Sequence, residues 1–254
     1  MKSKYIYILC SLFLFSCMNK SNEKKEYYET GEIKTHANIK DGIEHGVYFE
    51  YHRNGELSIS GIKIKGKKNG LWKRYDSKGK IISAKQYYND NVVHELELSD
   101  FIFKRIKLKN HEEIDVPKNW EMIPVNQSNQ VLLSIRKNCS KYIKFCPTLN
   151  VIEEDRIASS NIDSFIDKNN ELLKKALNNF RIIKERKYEY DGTMFYEEIY
   201  AGENNNLGIG GISTFVFTKK KIYIITGNAL NEKGNSFLKY EGLFKEITNS
   251  FRLN

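Results

Sequence analysis

A period of 24 residues runs through the first third of this 254-residue chain and decides most of what that third can become. Gly31, Gly55 and Gly79 are spaced by 24, as are Gly42 and Gly66, Gly46 and Gly70, and Tyr27, Tyr51 and Tyr75. Each unit reads as a strand ending in Tyr, a turn such as His52-Arg53-Asn54-Gly55, and a second strand. Glycine supplies the positive φ that a tight hairpin needs, so Gly55 and Gly79 are expected in that conformation. Aromatics recur at a fixed offset because each hairpin must bury one face on its neighbour, and Val47-Tyr48 answers Leu71-Trp72. In the next unit the glycine slots fall on Asp90 and His94, where the array is expected to end. Tyr48, Tyr51, Trp72 and Tyr75 read first as core stacking, with a ligand-binding aromatic face as the alternative.

Two units carry the pattern in full: Gly42-x-x-x-Gly46-x-Tyr48-x-x-Tyr51-x-x-x-Gly55 and Gly66-x-x-x-Gly70-x-Trp72-x-x-Tyr75-x-x-x-Gly79. The stretch over 27–98 resembles the MORN repeats, in the antitoxin-like variant found in bacterial secreted proteins. The resemblance implies a small stack of β-hairpins that serves as scaffold and binding surface, and no activity.

The N-terminus bears on compartment. Lys2 and Lys4 precede an apolar run, Ile6 to Phe15, that is too short to span a bilayer, for which about 20 residues are needed. It ends in Leu14-Phe15-Ser16-Cys17, which resembles the lipobox of bacterial lipoproteins. That resemblance implies a signal peptide over 1–16, cleavage before Cys17, acyl chains on Cys17, and a flexible polar tether over 17–26. Two or more acyl chains, at ~0.8 kcal/mol per buried methylene, hold such a protein at a membrane. The expected location is the bacterial cell envelope, with the outer membrane favoured, facing periplasm or exterior. The formal charge of +9 falls to near +7 once Lys2 and Lys4 leave. No block of five basic residues appears, so the charge reads as a solvated surface and no nucleic-acid partner is expected. Lys219-Lys220-Lys221 lies between two apolar runs, where a hairpin turn is expected.

From about residue 111 the composition changes, and all three prolines, Pro117, Pro124 and Pro147, lie there. Residues 96–110 read as a strand that leads out of the array or belongs to the second domain. Strands are expected at 114–116, 131–136, 148–153, 182–190, 193–200, 209–218 and 221–227, with Asp191-Gly192 a direct hairpin signal. A helix capped by Ser160 or Asn161 carries Ile162, Phe165, Ile166, Leu173, Ala176, Leu177 and Phe180 as an apolar stripe. A second helix is expected over about 235–250. The fold class is therefore mainly β and α+β: a repeat array, then an antiparallel sheet with two helices. Val116-Pro117-x-x-Trp120, Pro147-Thr148-Leu149-Asn150-Val151, Tyr223-Ile224-Ile225-Thr226-Gly227 and Ser250-Phe251 make the 99–254 stretch resemble the PsbP-like fold. That resemblance implies protein-binding or assembly roles and no shared catalytic residues.

No constellation for catalysis emerges. The five histidines are scattered. Gly208-Ile209-Gly210-Gly211 lacks the Gly-Lys-Ser/Thr ending of a phosphate loop and is read as a bulged loop between strands. Gly202 is read as a loop glycine that tolerates substitution. Glu153-Glu154-Asp155 and Glu197-Glu198 are neighbours on strands and point to opposite faces. No enzyme, cofactor or metal is expected. Cys139 and Cys146 read as a disulfide in an oxidising compartment, with two free thiols as the alternative. A metal there fails for want of ligands, since no histidine lies within 25 positions. The expected function is binding or scaffolding through an envelope protein partner. An immunity-type lipoprotein that neutralises a toxin, and an enzyme of unrecognised type, are the alternatives. Phe49, Lys73 and Arg74 are the candidate contact residues, an aromatic with neighbouring cations on the strands of Tyr48 and Trp72.

Overall fold

The computed structural model describes residues 22–109, 111–125, 130–141, 143–156, 161–231 and 239–253. The expected signal peptide, 1–16, and the expected lipidation residue, Cys17, lie outside the described residues. Seven consecutive strands pair edge to edge in one antiparallel meander: β1 (Asn22–Tyr27), β2 (Ile33–Lys40), β3 (Ile43–Tyr51), β4 (Leu57–Ile64), β5 (Lys67–Tyr75), β6 (Ile81–Tyr88) and β7 (Asn91–Glu95). The period of 24 is the repeat of its turns. At one end Asp41-Gly42 and Lys65-Gly66 both have positive φ at each residue (53° and 78°, 52° and 79°), the two-residue turn whose twist matches the strands. Asn89-Asp90 adopts the same conformation without glycine (48° and 70°), which short polar side chains tolerate. At the other end Gly31, Gly55 and Gly79 take φ of 96°, 82° and 79°. There a ladder runs from unit to unit: the Tyr28 hydroxyl donates to the Tyr51 carbonyl at 2.7 Å, and His52 Nε2 meets the Tyr75 carbonyl at 3.0 Å.

The tether expected over 17–26 becomes strand from Asn22 onward. β1 satisfies its backbone against β2, and Glu23 holds Lys25 of its own strand at 3.1 Å and His36 of β2 at 3.4 Å.

A 3-10 turn, Leu98–Phe101, leads into a two-stranded ribbon of β8 (Phe103–Lys107) and β9 (Glu113–Pro117). The second sheet contains β10 (Trp120–Met122), β11 (Val131–Lys137), β12 (Thr148–Asp155), β13 (Asn178–Tyr190), β14 (Thr193–Asn204), β15 (Leu207–Phe217) and β16 (Lys221–Leu230), in the order β10-β11-β12-β16-β15-β14-β13. The fold is mainly antiparallel β with two helices. Helix α1 (Ile162–Ala176) covers one face through Ile166, over Phe215, Phe217, Ile222 and Ile224. Helix α2 (Glu241–Asn249) covers the other through Leu243, Phe244 and Ile247, over Leu149, Val151, Ile199, Ile212 and Ile225. The alternation of each strand sends its two sets of side chains to two separate cores.

Asn161 caps α1, its Oδ1 accepting from the Asp163 N–H at 2.9 Å. The helix stops at Ala176, short of the expected Phe180. Asn178 and Asn179 are poor helix formers, Asn179 has φ 53°, and the chain turns there into β13. Leu177 and Phe180 still bury against Tyr200. In the described part α2 begins at Glu241, later than expected, and residues 232–238 lie outside the described residues. Gly208–Gly211 is not a bulged loop: it lies in β15 in unbroken register with β14. A Cβ at Gly211 would stand 2.2 Å from the Tyr200 ring, so the glycine makes room for a buried aromatic. Gly202 is likewise buried in β14, with a Cβ position 2.8 Å from Leu177 Cβ, which removes its expected tolerance.

The two modules share one core. Leu71, Ile81, Ala84 and Leu96 of the array pack with Phe101, Trp120 and Phe244. Gly242 brings α2 close: its N–H donates to Gln86 Oε1 at 3.3 Å, and a Cβ there would lie 2.3 Å from Leu71 Cβ. His94 packs at a tilt of 51° against Tyr240, with ring centroids 4.9 Å apart.

Candidate binding face

Period-2 alternation divides the array sheet into a face turned to α2 and a face turned away. On β5, Leu71 and Lys73 point to α2, while Lys68, Trp72 and Arg74 point outward. Register carries the outward face across the sheet: Tyr48 pairs with Ala37 and Gly61, Trp72 with Lys85, Gly70 with Tyr87 and Arg74 with Ser83. Tyr48, Trp72 and Tyr87 form a row, with centroids 5.5 Å and 6.1 Å apart. The Trp72 ring lies flat over Gly61, where a Cβ would meet ring carbons at 2.3 Å. Its indole N–H reaches the Ile62 and Asn69 carbonyls, each at 3.2 Å.

Cations sit on this row. Lys63 Nζ lies 4.2 Å from the Tyr48 centroid, and Lys68 Nζ lies 4.6 Å from that of Trp72 and 5.3 Å from that of Tyr87. Ile59, Lys68, Trp72, Arg74, Ser83, Lys85 and Tyr87 line a groove of about 290 Å³. Lys63 is paired with Glu44, and Lys85 lies 3.4 Å from Glu95. Lys68 and Arg74 enter no ion pair among the described residues. The Tyr48 hydroxyl donates to Glu50 Oε1 at 2.9 Å, and burial together with that bond pushes its pKa well above the ordinary tyrosine value. The groove therefore offers two unneutralised cations, Lys68 over the Trp72 and Tyr87 rings and Arg74 on its wall, around a Trp72 that is itself only 5% exposed, an arrangement that attracts carboxylates and holds no nucleophile activated by a base.

Of the three expected contact residues, the structure places only Arg74 here. Phe49 is not an exposed anchor: it is 7% exposed, on the other face, between His36 and Tyr51. Lys73 is also on that face and is taken up by Glu246 of α2. Burial works against its charge, but Glu246 and Tyr75 together outweigh burial and hold its pKa above the ordinary lysine value. Lys68, Lys85 and Tyr87 are not singled out by the sequence. A partial signal exists, because two of the outward aromatics have a small residue 11 positions before them, Ala37 before Tyr48 and Gly61 before Trp72, whereas Asp76 holds that place before Tyr87.

Cys139 and Cys146 are not bridged. They stand as two free thiols, neighbours at the mouth of the β11–β12 connection. Beneath α1, Glu198 is fully buried with neither carboxylate oxygen in a hydrogen bond, and burial pushes its pKa up to about 7. Among the described residues no group of three or more His, Cys, Asp or Glu is placed to hold a metal ion. No described helix is long and apolar enough to cross a membrane.

No family model and no curated protein matches the chain. Among solved structures it is similar to the cyanobacterial PsbP of Synechocystis sp. PCC 6803, with 15% identity and a TM-score of 0.45 over 60% of this chain and 92% of that one. It is similar to the Ran-binding protein Mog1p of Saccharomyces cerevisiae, with 11% identity and a TM-score of 0.46 over 59% and 94%. It is also similar to LpqN of Mycobacterium tuberculosis, described as involved in cell envelope biogenesis, with 13% identity and a TM-score of 0.41 over 58% and 86%.

Proposed function

We propose that this chain is a non-catalytic binding protein, anchored to the cell envelope through lipid on Cys17, which holds an acidic protein partner on the outward face of its repeat sheet. The observation that carries the reading is the pair of unneutralised cations, Lys68 over the Trp72 and Tyr87 rings and Arg74 in the same groove, on the face that α2 leaves uncovered. Charge complementarity would speed encounter with an acidic surface, and the half-buried Tyr48 and Tyr87, which flank the buried Trp72, would supply the apolar contact. The core shared by the two modules suits a scaffold, since it ties the presented face to the second module.

The test is crosslinking in intact cells from a photoreactive residue at position 68 or 74, each alone and each combined with charge reversal of the other cation (Arg74→Glu or Lys68→Glu). A discrete band from either position, reduced at least tenfold by reversal of the other cation, supports the reading. Bands that arise only from the second module's surface, and that survive charge reversal, overturn it. Loss of labelled fatty acid in Cys17→Ser reports on the anchor separately, because only a thiol forms the thioether.

A further inference from the structure

The loop between β11 and β12 brings two sulfur atoms together beside the joint of the modules. Cys139 lies two residues after Lys137, the last of β11, and Cys146 two before Thr148, the first of β12. The Lys137 N–H donates to the Pro147 carbonyl at 2.8 Å, which closes the hairpin mouth below the pair. Arg136 and Thr148 are in register one step further in. Both thiols are partly exposed and close enough to influence each other electrostatically. Lys137, Glu97 and Tyr240 are close enough to exchange electrostatic influence with Cys139. These three are parts of the joint: Lys137 pairs with Asp100 and Glu97, and its ammonium lies 5.8 Å from the Tyr240 ring centroid.

We propose that Cys139 and Cys146 form a reversible dithiol–disulfide site, oxidised by exchange with a small-molecule or protein disulfide, that staples the loop beside the joint between the modules. The proposal does not depend on the outward groove. The two thiols are not equivalent. Burial, reinforced by the neighbouring Cys146, pushes the Cys139 thiol up to about 12, with Glu97 adding to the shift and Lys137 opposing it. Cys139 therefore keeps its proton at neutral pH, and the attacking role falls to Cys146. In the first exchange the Cys146 sulfur, as thiolate, forms a bond to one sulfur of the incoming disulfide, and the other sulfur leaves as a thiolate. In the second, Cys139 gives its proton to water and attacks the Cys146 sulfur, and the remaining incoming thiolate leaves. Two electrons pass from the protein to the incoming disulfide, which ends as two thiols.

The experiment equilibrates the full chain with mixtures of reduced and oxidised glutathione, then reads Cys139 and Cys146 by alkylation and peptide mass mapping. The expected result is a Cys139–Cys146 crosslinked peptide in oxidising mixtures, lost again on reduction. Oxidation should raise the thermal midpoint by about 5 °C or more, because a short loop is closed in the unfolded chain. Cys139→Ser should trap a glutathione adduct on Cys146 at least tenfold faster than Cys146→Ser traps one on Cys139. Glutathione adducts on both cysteines of the wild type with no crosslinked peptide, or thiols inert in every mixture, overturn the site. Equal trapping in the two single variants overturns the roles.

Discussion

Replacing Lys137 by methionine should unfold this protein more readily than almost any single surface change, and the structure says by how much. Lys137 ends β11 with a side chain 5% exposed, and its ammonium pairs with the Asp100 carboxylate, which is fully buried in the 3-10 turn between the modules. Asp100 Oδ1 also accepts from Trp120 Nε1 and from Asn119 Nδ2, both at 3.1 Å. Lys137→Met keeps most of the stem and removes the charge, so the carboxylate stays buried with two neutral donors. Breaking one side of a buried pair costs about 3–5 kcal/mol, and the two retained hydrogen bonds place the expectation at the lower end, about 3 kcal/mol. Lys137→Met/Asp100→Asn removes both charges and keeps an acceptor for Trp120, so it should cost at least ~1.5 kcal/mol less than the sum of the single changes. Urea unfolding monitored by far-ultraviolet circular dichroism measures all three, with Trp120 fluorescence reporting on the site itself. A single variant within about 0.5 kcal/mol of wild type, or costs that simply add, would refute the reasoning, because the pair would then behave as an exposed one.

Two further outcomes are expected. Burial holds the Glu198 carboxyl at about 7, above its ordinary 4.5, so the native protein keeps a proton that the unfolded chain releases. Stability should fall as pH rises from about 4.5 to 7, by up to about 3 kcal/mol. Glu198→Gln should flatten that slope, and a urea midpoint with unchanged pH dependence would count against it. Gly61→Ala should force the Trp72 ring off the sheet, lowering stability by about 1–3 kcal/mol and red-shifting indole emission; an unaltered spectrum and thermal midpoint would contradict the packing of Trp72 on Gly61.

The array is legible in the sequence because its turns demand a backbone that few residues adopt. Glycine at 31, 55 and 79 marks one set of turns, and the 24-residue spacing of Gly42 and Gly66 marks the other. Asn89-Asp90 hides the same turn, since the residues that tolerate positive φ besides glycine also occur freely in loops. The outward and inward faces are not legible. Leu71 and Trp72 are both large and apolar, and alternation separates them without saying which meets α2. That choice is made by Gly242 and Glu246, more than 150 positions away along the chain. Lys73 resembles a free cation in the sequence because its partner is 173 residues distant. Phe49 resembles an anchor because its cover, His36 and Tyr51, comes from neighbouring positions on the same sheet. The end of α1 escapes the pattern because Leu177 and Phe180 remain on the apolar side after the backbone has become a strand, so the stripe outlasts the helix.

The meander has one more property, set by where it is fastened. The joint to the second module draws on β5, β6 and β7, whereas β1 lies at the free edge of the sheet. Each 24-residue unit adds two strands, about 10 Å of width. A unit inserted or deleted upstream of β5 would therefore lengthen or shorten the protein like a measuring rod, leaving the joint as it is. If the N-terminal end is held at a surface, the number of units sets how far from that surface the second module stands.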